Sequence, residues 1–309
     1  MNTHKPLVLI TGCVSLLGKY LVHNLSKNNF PLILASHNLP IPYQVKNKTA
    51  NLKLDISDTK QVSEAINKYK PQIIIHLAAL SNIDYCERNQ KQAYQINVTG
   101  TKNIFNAAEQ VNSRIIFISS NAIFDGYNPP YKETDQPHPL NYYGQTKALA
   151  EKIIITNKNN CVVRLTTIFG WPPKNTRDND VTYYLKQIKT AKKIPLVTDR
   201  IFNPISAQTV AINIIKLVNI NFSGIINLAG KDKINRFSFV KTIIKIFSPN
   251  NKIKLLPVTS DYFPCLAKRP IDACLDTRKA KSLINFDPSS LTFELIKMLK
   301  EITAKSNSI

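Results

Sequence analysis

Tyr143 and Lys147 stand four residues apart in the stretch Pro-Leu-Asn-Tyr-Tyr-Gly-Gln-Thr-Lys that runs from 139 to 147 and is patterned as a helix. That spacing stacks both side chains on one helical face. A neighbouring ammonium favours phenolate and lowers the pKa of a phenol. A tyrosine poised in this way can give or take a proton at a carbonyl or carbinol oxygen. The pair alone reads equally as an exposed helix with an aromatic stripe, so the rest of the chain must decide.

A second candidate is the run Thr11-Gly12-Cys13-Val14-Ser15-Leu16-Leu17-Gly18, which follows an apolar strand and opens a helix. This is the setting in which a dinucleotide pyrophosphate meets a helix N-terminus. Gly12 permits a tight turn, and Gly18 permits close packing of helix on strand. Ser15 occupies the middle position of a G-x-x-G-x-x-G pattern, where its hydroxyl can donate to phosphate. Gly12, Ser15, Leu16, Leu17 and Gly18 are therefore cofactor candidates. The alternative is a plain strand-to-helix connection. Ser36, His37 and Asn38 close the next strand, where an acidic residue would hold the ribose of NAD. None is acidic, which removes the repulsion a ribose 2′-phosphate would meet and favours NADP, with NADH as the alternative. Asp55 and Ile56 follow the third strand. There the Asp55 carboxylate suits an adenine amino group, or a helix N-cap. His76 is followed by Leu77, Ala78 and Ala79, small enough for backbone to lie against a flat cofactor. Ser119 and Ser120 end the fifth strand, where hydroxyls can hold a substrate oxygen or simply form a polar loop.

The elements that must position these residues alternate. Strands are expected at Pro6–Ile10, Pro31–Ala35, Leu52–Leu54, Gln72–Leu77, Arg114–Ile118 and Cys161–Leu165. Helices are expected at Leu16–Ser26, Thr59–Tyr69, 90–110 and Leu140–Ile155. Continuous Ile, Val and Leu strands between helices mean a parallel sheet covered on both faces. In such a sheet the ligand crevice lies outside the strand carboxyl ends, where the candidates above fall. After Gly170 the run Trp171-Pro-Pro breaks the alternation. Residues 1–169 form the expected dinucleotide-binding domain, with 205–230 returning to it, and 170–309 form a substrate lobe. Ala304–Ile309 reads as a frayed tail.

The formal net charge of +21 over 309 residues suits an anionic ligand. The lysines are scattered rather than clustered, so no nucleic-acid partner is favoured. The five cysteines lack C-x-x-C spacing, and the five histidines form no ligand pair, so no metal site is expected. No apolar run reaches about 18 residues, so no membrane span is expected. With no signal segment evident, the expected location is the cytoplasm.

The serial order Ile-Ser-Ser-Asn-Ala-Ile-Phe-Asp-Gly, Pro-Tyr-Lys-Glu-Thr-Asp and Pro-Leu-Asn-Tyr-Tyr-Gly-Gln-Thr-Lys resembles the extended short-chain dehydrogenase/reductases. Within them the chain looks most like the dTDP-4-dehydrorhamnose reductase group. Arg269-Pro270 and Cys274-Leu275-Asp276 match that group's C-terminal motif, with Cys274 at a serine. The resemblance implies a Rossmann-type doubly wound parallel sheet with a smaller α/β lobe. It implies Ser120, Tyr143 and Lys147 as the catalytic set, with Tyr143 and Lys147 also at the cofactor. It makes Asn97 the structural asparagine of the superfamily, counted with the cofactor site, and assigns substrate contacts to Asn121, Phe124, Thr167 and Arg269. Arg269 is expected in the substrate lobe against the diphosphate. The implied reaction is NADPH-dependent 4-keto reduction of a 4-keto-6-deoxy sugar nucleotide in surface polysaccharide precursor synthesis, by an enzyme that can be a homodimer. Two other readings stay open. One is a nucleotide-sugar epimerase or dehydratase with tightly held NAD. The other is a non-catalytic regulatory subunit of the methionine adenosyltransferase beta type, which would have no need of Ser120, Tyr143 and Lys147.

The absence of a carboxylate at 36–38 predicts tighter binding of NADPH than of NADH. Fluorescence titration of both reduced cofactors checks this, and a dissociation constant for NADH ten times below that for NADPH would contradict it.

Overall fold

The computed structural model describes residues 5–37 and 40–306, with side chains through residue 302. The first half runs β1 (Val8–Thr11), α1 (Leu16–Lys27), β2 (Leu32–Ser36), β3 (Lys48–Lys53), α2 (Thr59–Tyr69) and β4 (Ile73–His76). It continues through α3 (Ile83–Arg88), α4 (Gln90–Tyr94), α5 (Gly100–Gln110), β5 (Arg114–Ser120), α6 (Tyr142–Ile154) and β6 (Cys161–Leu165). Then come β7 (Ile168–Phe169), α7 (Asp180–Thr190), β8 (Lys193–Val197), β9 (Ile201–Phe202), β10 (Ile205–Ser206), α8 (Ala207–Asn219) and β11 (Gly224–Leu228). The chain ends with β12 (Ile234–Asn235), α9 (Arg236–Phe247), β13 (Lys254–Val258), α10 (Arg278–Ile284) and α11 (Leu291–Ser306). No described helix is long and apolar enough to cross a membrane.

Seven parallel strands form the central sheet in the order β11-β6-β5-β4-β1-β2-β3. The order reverses between β1 and β4, the place where such sheets open a ligand crevice. Alternate strand residues serve opposite faces. Val8, Ile10, Ile116 and Val163 pack against α1 and α8. Leu9, Ile74, Ile115, Phe117 and Val162 pack against α2, α5 and α6. Burial on both faces explains the unbroken apolar runs of these strands.

Three expectations need correction. Residues 90–110 are not one helix: a π-turn at Gln95–Thr99 separates α4 from α5. The extra residue per turn lets the buried Asn97 side chain reach the loop after β4. The part of 170–309 that returns to the first domain extends beyond the expected 205–230. Besides β11, which pairs with β6, the α10 segment returns Ala280, Ile284 and Phe286 to the core under α8. A separate core of Phe169, Leu196, Phe239 and Leu295 holds α7, α9 and α11 together. The expected frayed tail is helical through Ser306, and residues 307–309 lie outside the described residues, as does Asn38.

Gly18 lets α1 lie on the turn after β1. A Cβ there would stand 2.3 Å from the Cys13 carbonyl oxygen, and backbone on both sides cannot yield. Gly18→Ala should lower stability by about 1–3 kcal/mol, the usual cost of overpacking. An unchanged thermal denaturation midpoint would show that the helix can shift freely.

Candidate active site

The cradle begins where β1 meets α1. Gly12 has a φ of +66°. A Cβ there would come within 2.9 Å of the Ala78 backbone nitrogen. Both facts require glycine. The Ser15 side chain caps α1, its Oγ accepting from Gly18 N at 3.1 Å, and so aims the positive end of the helix into the crevice. Leu17 is buried in the core and Leu16 packs against it, so these two can meet a cofactor through their backbone at the start of α1. Helix periodicity turns them inward. Gly18 serves helix packing.

A cavity of about 490 Å³ opens beside this turn, lined by Gly12, His37, Asp55, Ile56, Ala78 and Ala79 together with Gln92, Gln95 and Ile96. The last three escaped sequence reading: Gln92 lies on α4, and Gln95 and Ile96 lie in the π-turn that follows it. Leu77 packs on the core instead. Ser36 is buried and lines a neighbouring hollow with His37 and Lys53. Asp55 does not cap a helix: its Oδ1 accepts from Ser57 N at 2.8 Å and Ser57 Oγ at 2.7 Å, and Asp58 caps α2. Burial raises the Asp55 pKa, but the Ser57 hydrogen bonds and nearby His37 outweigh it and hold the carboxyl below its usual range.

The reactive group stands at the carboxyl end of β5. Gly144 brings α6 so close to the following turn that a Cβ would lie 2.1 Å from the Ala122 carbonyl oxygen. Asn141 caps that helix, its Oδ1 accepting from Gly144 N at 2.9 Å. This seating brings Tyr143 to Ser120, which acts on the phenol and lowers its pKa. Ser120 Oγ also accepts from Ala122 N at 3.1 Å. Tyr143 is half-buried, with its hydroxyl set deep in protein. Burial pushes its pKa up to about 12, and Ser120 only partly opposes this. The expected lowering by Lys147 is therefore corrected. The lysine Nζ points away to the Ile118 carbonyl at 2.6 Å and lies 4.0 Å above the Phe117 ring. Burial pulls Lys147 down to about 7, against the opposing charge of Glu151.

Beneath these groups a polar chain closes. Thr101 donates to the Asn97 carbonyl at 2.7 Å, which leaves its oxygen to accept from His76 Nε2 at 3.1 Å. His76 Nδ1 then accepts from Thr11 Oγ1 at 2.7 Å. Burial, and next Lys147, pull the His76 pKa down to about 3, so the ring is neutral. Asn97 does not line the cavity. Its side chain accepts from Leu80 N at 2.7 Å and donates to Leu80 O and the Thr146 hydroxyl, each at 3.0 Å, tying the loop after β4 to α6.

On the substrate side, Asn121 donates to the Ala273 carbonyl at 2.8 Å, bridging to the C-terminal segment. Thr167 is half-buried, its carbonyl accepting from Ile205 N at 3.1 Å. Phe124 is wholly buried and stacks on Tyr131 with centroids 4.1 Å apart, so it cannot touch substrate as expected. Arg269 is also corrected. Its guanidinium forks onto Asp84 of α3 at 2.6 and 3.3 Å rather than standing open to a diphosphate. Bidentate geometry makes carboxylate a strong competitor for that arginine.

The family described as the RmlD substrate binding domain matches residues 6–304. The chain is 30% identical to a dTDP-4-dehydrorhamnose reductase from Aggregatibacter actinomycetemcomitans over 77% of its length and 83% of the relative's. It is 29% identical to the methionine adenosyltransferase 2 subunit beta of Pongo abelii over 92% of its length and 84% of that protein's. The solved dTDP-4-dehydrorhamnose reductase of Bacillus anthracis str. Ames, in complex with NADP, superposes with a TM-score of 0.85 at 27% identity. That match covers 96% of this chain and 99% of the other.

Arg269 and Asp84 tie the segment 267–273 to α3, and the neighbouring Tyr262 and Phe263 are exposed. Arg269→Ala should speed chymotryptic cleavage at Tyr262 or Phe263. Global stability should change by only about 0–1 kcal/mol, as for a solvent-touched ion pair. Equal cleavage rates in wild type and variant would show that the segment is held by other contacts.

Proposed function

The chain belongs to the RmlD substrate binding domain family of extended short-chain dehydrogenase/reductases, and from that premise we propose that it is an NADPH-dependent reductase of a 4-keto-6-deoxy sugar nucleotide, of the dTDP-4-dehydrorhamnose type. The observation that carries the proposal is the meeting of Tyr143 and Ser120 at the carboxyl end of β5, where Ser120 lowers the phenol pKa, with Lys147 buried one turn along α6. The cradle fits a dinucleotide. Gly12, where any side chain would strike Ala78, suits the close passage of a pyrophosphate onto the α1 N-terminus. Asp55 and Ile56 suit the adenosine end. Ser36, His37 and Lys53 around one hollow suit a ribose 2′-phosphate better than a bare diol. The NADP in the Bacillus anthracis relative supports the same preference.

When bound, the reduced nicotinamide supplies the hydride for the carbonyl carbon. The chain's own residues manage the proton and the charge. With its pKa near 12, Tyr143 carries its proton at neutral pH and acts as the acid toward the carbonyl oxygen as that oxygen gains charge. Ser120 donates to the same oxygen. Lys147, one turn along α6, would hold the nicotinamide ribose. The full-length similarity to a methionine adenosyltransferase subunit favours a second reading, a regulatory role. Turnover separates the two.

Tyr143→Phe should reduce turnover of a dTDP-4-keto-6-deoxy sugar by about 100- to 10,000-fold, the usual contribution of a positioned acid. The NADPH dissociation constant should stay nearly unchanged, because the phenol acts on the substrate oxygen. Steady-state kinetics with cofactor titration measure both, and retention of a tenth of wild-type turnover would mean that another group supplies the proton. No turnover in the wild type would favour the regulatory reading.

A further inference from the structure

One buried ion pair lies outside the site described so far. Arg164 stands in the middle of β6, among Val163, Leu165 and other apolar residues, and is 2% exposed. Strand alternation turns it with Val162 toward α6. There it meets Glu151, also buried, its Nη2 and Nε donating to the carboxylate at 2.8 and 3.2 Å. Its Nη1 donates to the Glu133 carbonyl at 3.2 Å, and its guanidinium lies 5.2 Å from the Phe124 ring centroid. Packed hydrophobic residues would serve stability as well as such a pair, because desolvating two charges offsets their attraction. The pair therefore calls for another role. Glu151 follows Lys147 by four residues on α6, one turn along the same face.

We propose that Glu151 is a positioning residue for the reaction, its carboxylate held by Arg164 so that its charge keeps Lys147 cationic beneath the site. The inference rests on the reductase reading for its functional meaning. The groups that face Lys147 leave this duty to Glu151. The β5 partner is a neutral carbonyl, that of Ile118, and β4 offers His76, which is neutral. On α6 itself, Tyr143 is protonated at neutral pH. Arg164 on β6 is a second cation, bound to the Glu151 carboxylate. Glu151 is the carboxylate whose field counters the burial of the lysine. Arg164 both fixes that carboxylate and shares it, so the two partners should push Lys147 in opposite directions.

NMR of full-length protein carrying 13Cε-labelled lysine tests this, with Lys147 assigned by the signal lost in Lys147→Met. Glu151→Gln should lower the Lys147 titration midpoint by about one unit or more, as loss of a nearby opposite charge does. A one-unit drop from about 7 takes the charged fraction at pH 7 from about a half to about a tenth. Arg164→Met should raise the midpoint. A merely structural pair would not give opposite signs. If Glu151→Gln does not fold, the double variant Glu151→Gln/Arg164→Met removes both charges, and its midpoint should lie below that of Arg164→Met. Unchanged midpoints, or shifts of the same sign in the two single variants, would overturn the proposal, as would a double variant no lower than Arg164→Met. In turnover, the limb on which rate falls as Lys147 loses its proton should move to lower pH in Glu151→Gln. A wild type without turnover sinks the reductase reading and leaves the NMR titration to decide this one.

Discussion

The central sheet is buried on both faces, and that constraint governs where polar chemistry can stand. A polar side chain in the middle of such a strand must find its partners inside the protein or lose several kcal/mol. Strands β1, β2, β4 and, after Arg114, β5 accordingly read as apolar until their carboxyl ends. There Thr11, Ser36, His76 and Ser120 appear, each at or next to the end of its strand. The reversal of strand order between β1 and β4 opens a gap at that same edge. Cofactor cradle and reactive hydroxyls thus share one side of the sheet for a packing reason. Arg164 in β6 obeys the same rule, since Glu151 and the Glu133 carbonyl satisfy its guanidinium, and so does Asn227 in β11, whose amide donates to the Tyr131 and Asp276 carbonyls.

Placement of the reactive tyrosine depends on how closely α6 can approach the strand ends. Gly144 permits contact with the Ala122 carbonyl, Asn141 caps the helix, and Asn97 ties it through Thr146 to the loop after β4. The π-turn around Asn97 also brings Gln95 and Ile96 to the cavity. One asparagine therefore ties α6 and the loop after β4 to the π-turn that lines the cavity. The C-terminal segment reaches the same frame through side-chain contacts. Asn121 meets Ala273, Asn141 meets Lys268, and Arg269 meets Asp84. These contacts are polar, and Leu275 of the same segment adds an apolar one by packing with Phe124 and Tyr131.

Much of the architecture was legible in the chain alone, because strand and helix periodicity are local properties. The alternation of apolar runs with helical stretches set the parallel sheet, and helix α2 and strand β6 stand on the residues expected of them. The Gly12 turn, the serines ending β5 and the Tyr143–Lys147 pair were legible for the same reason, since each is a short motif at a predicted element end. What stayed hidden depends on residues distant in sequence. Nothing near Arg269 announces Asp84, which lies 185 residues away. Nothing near Phe124 announces that Tyr131, Ala229 and Leu275 enclose it. The protonation of Tyr143 and Lys147 was likewise decided by burial, which no spacing rule carries. Sequence determined which chemical groups are present and on which elements. Only the tertiary structure decided which of them are dry, charged and within reach of one another, because desolvation and long-range contact exist only once the chain has folded.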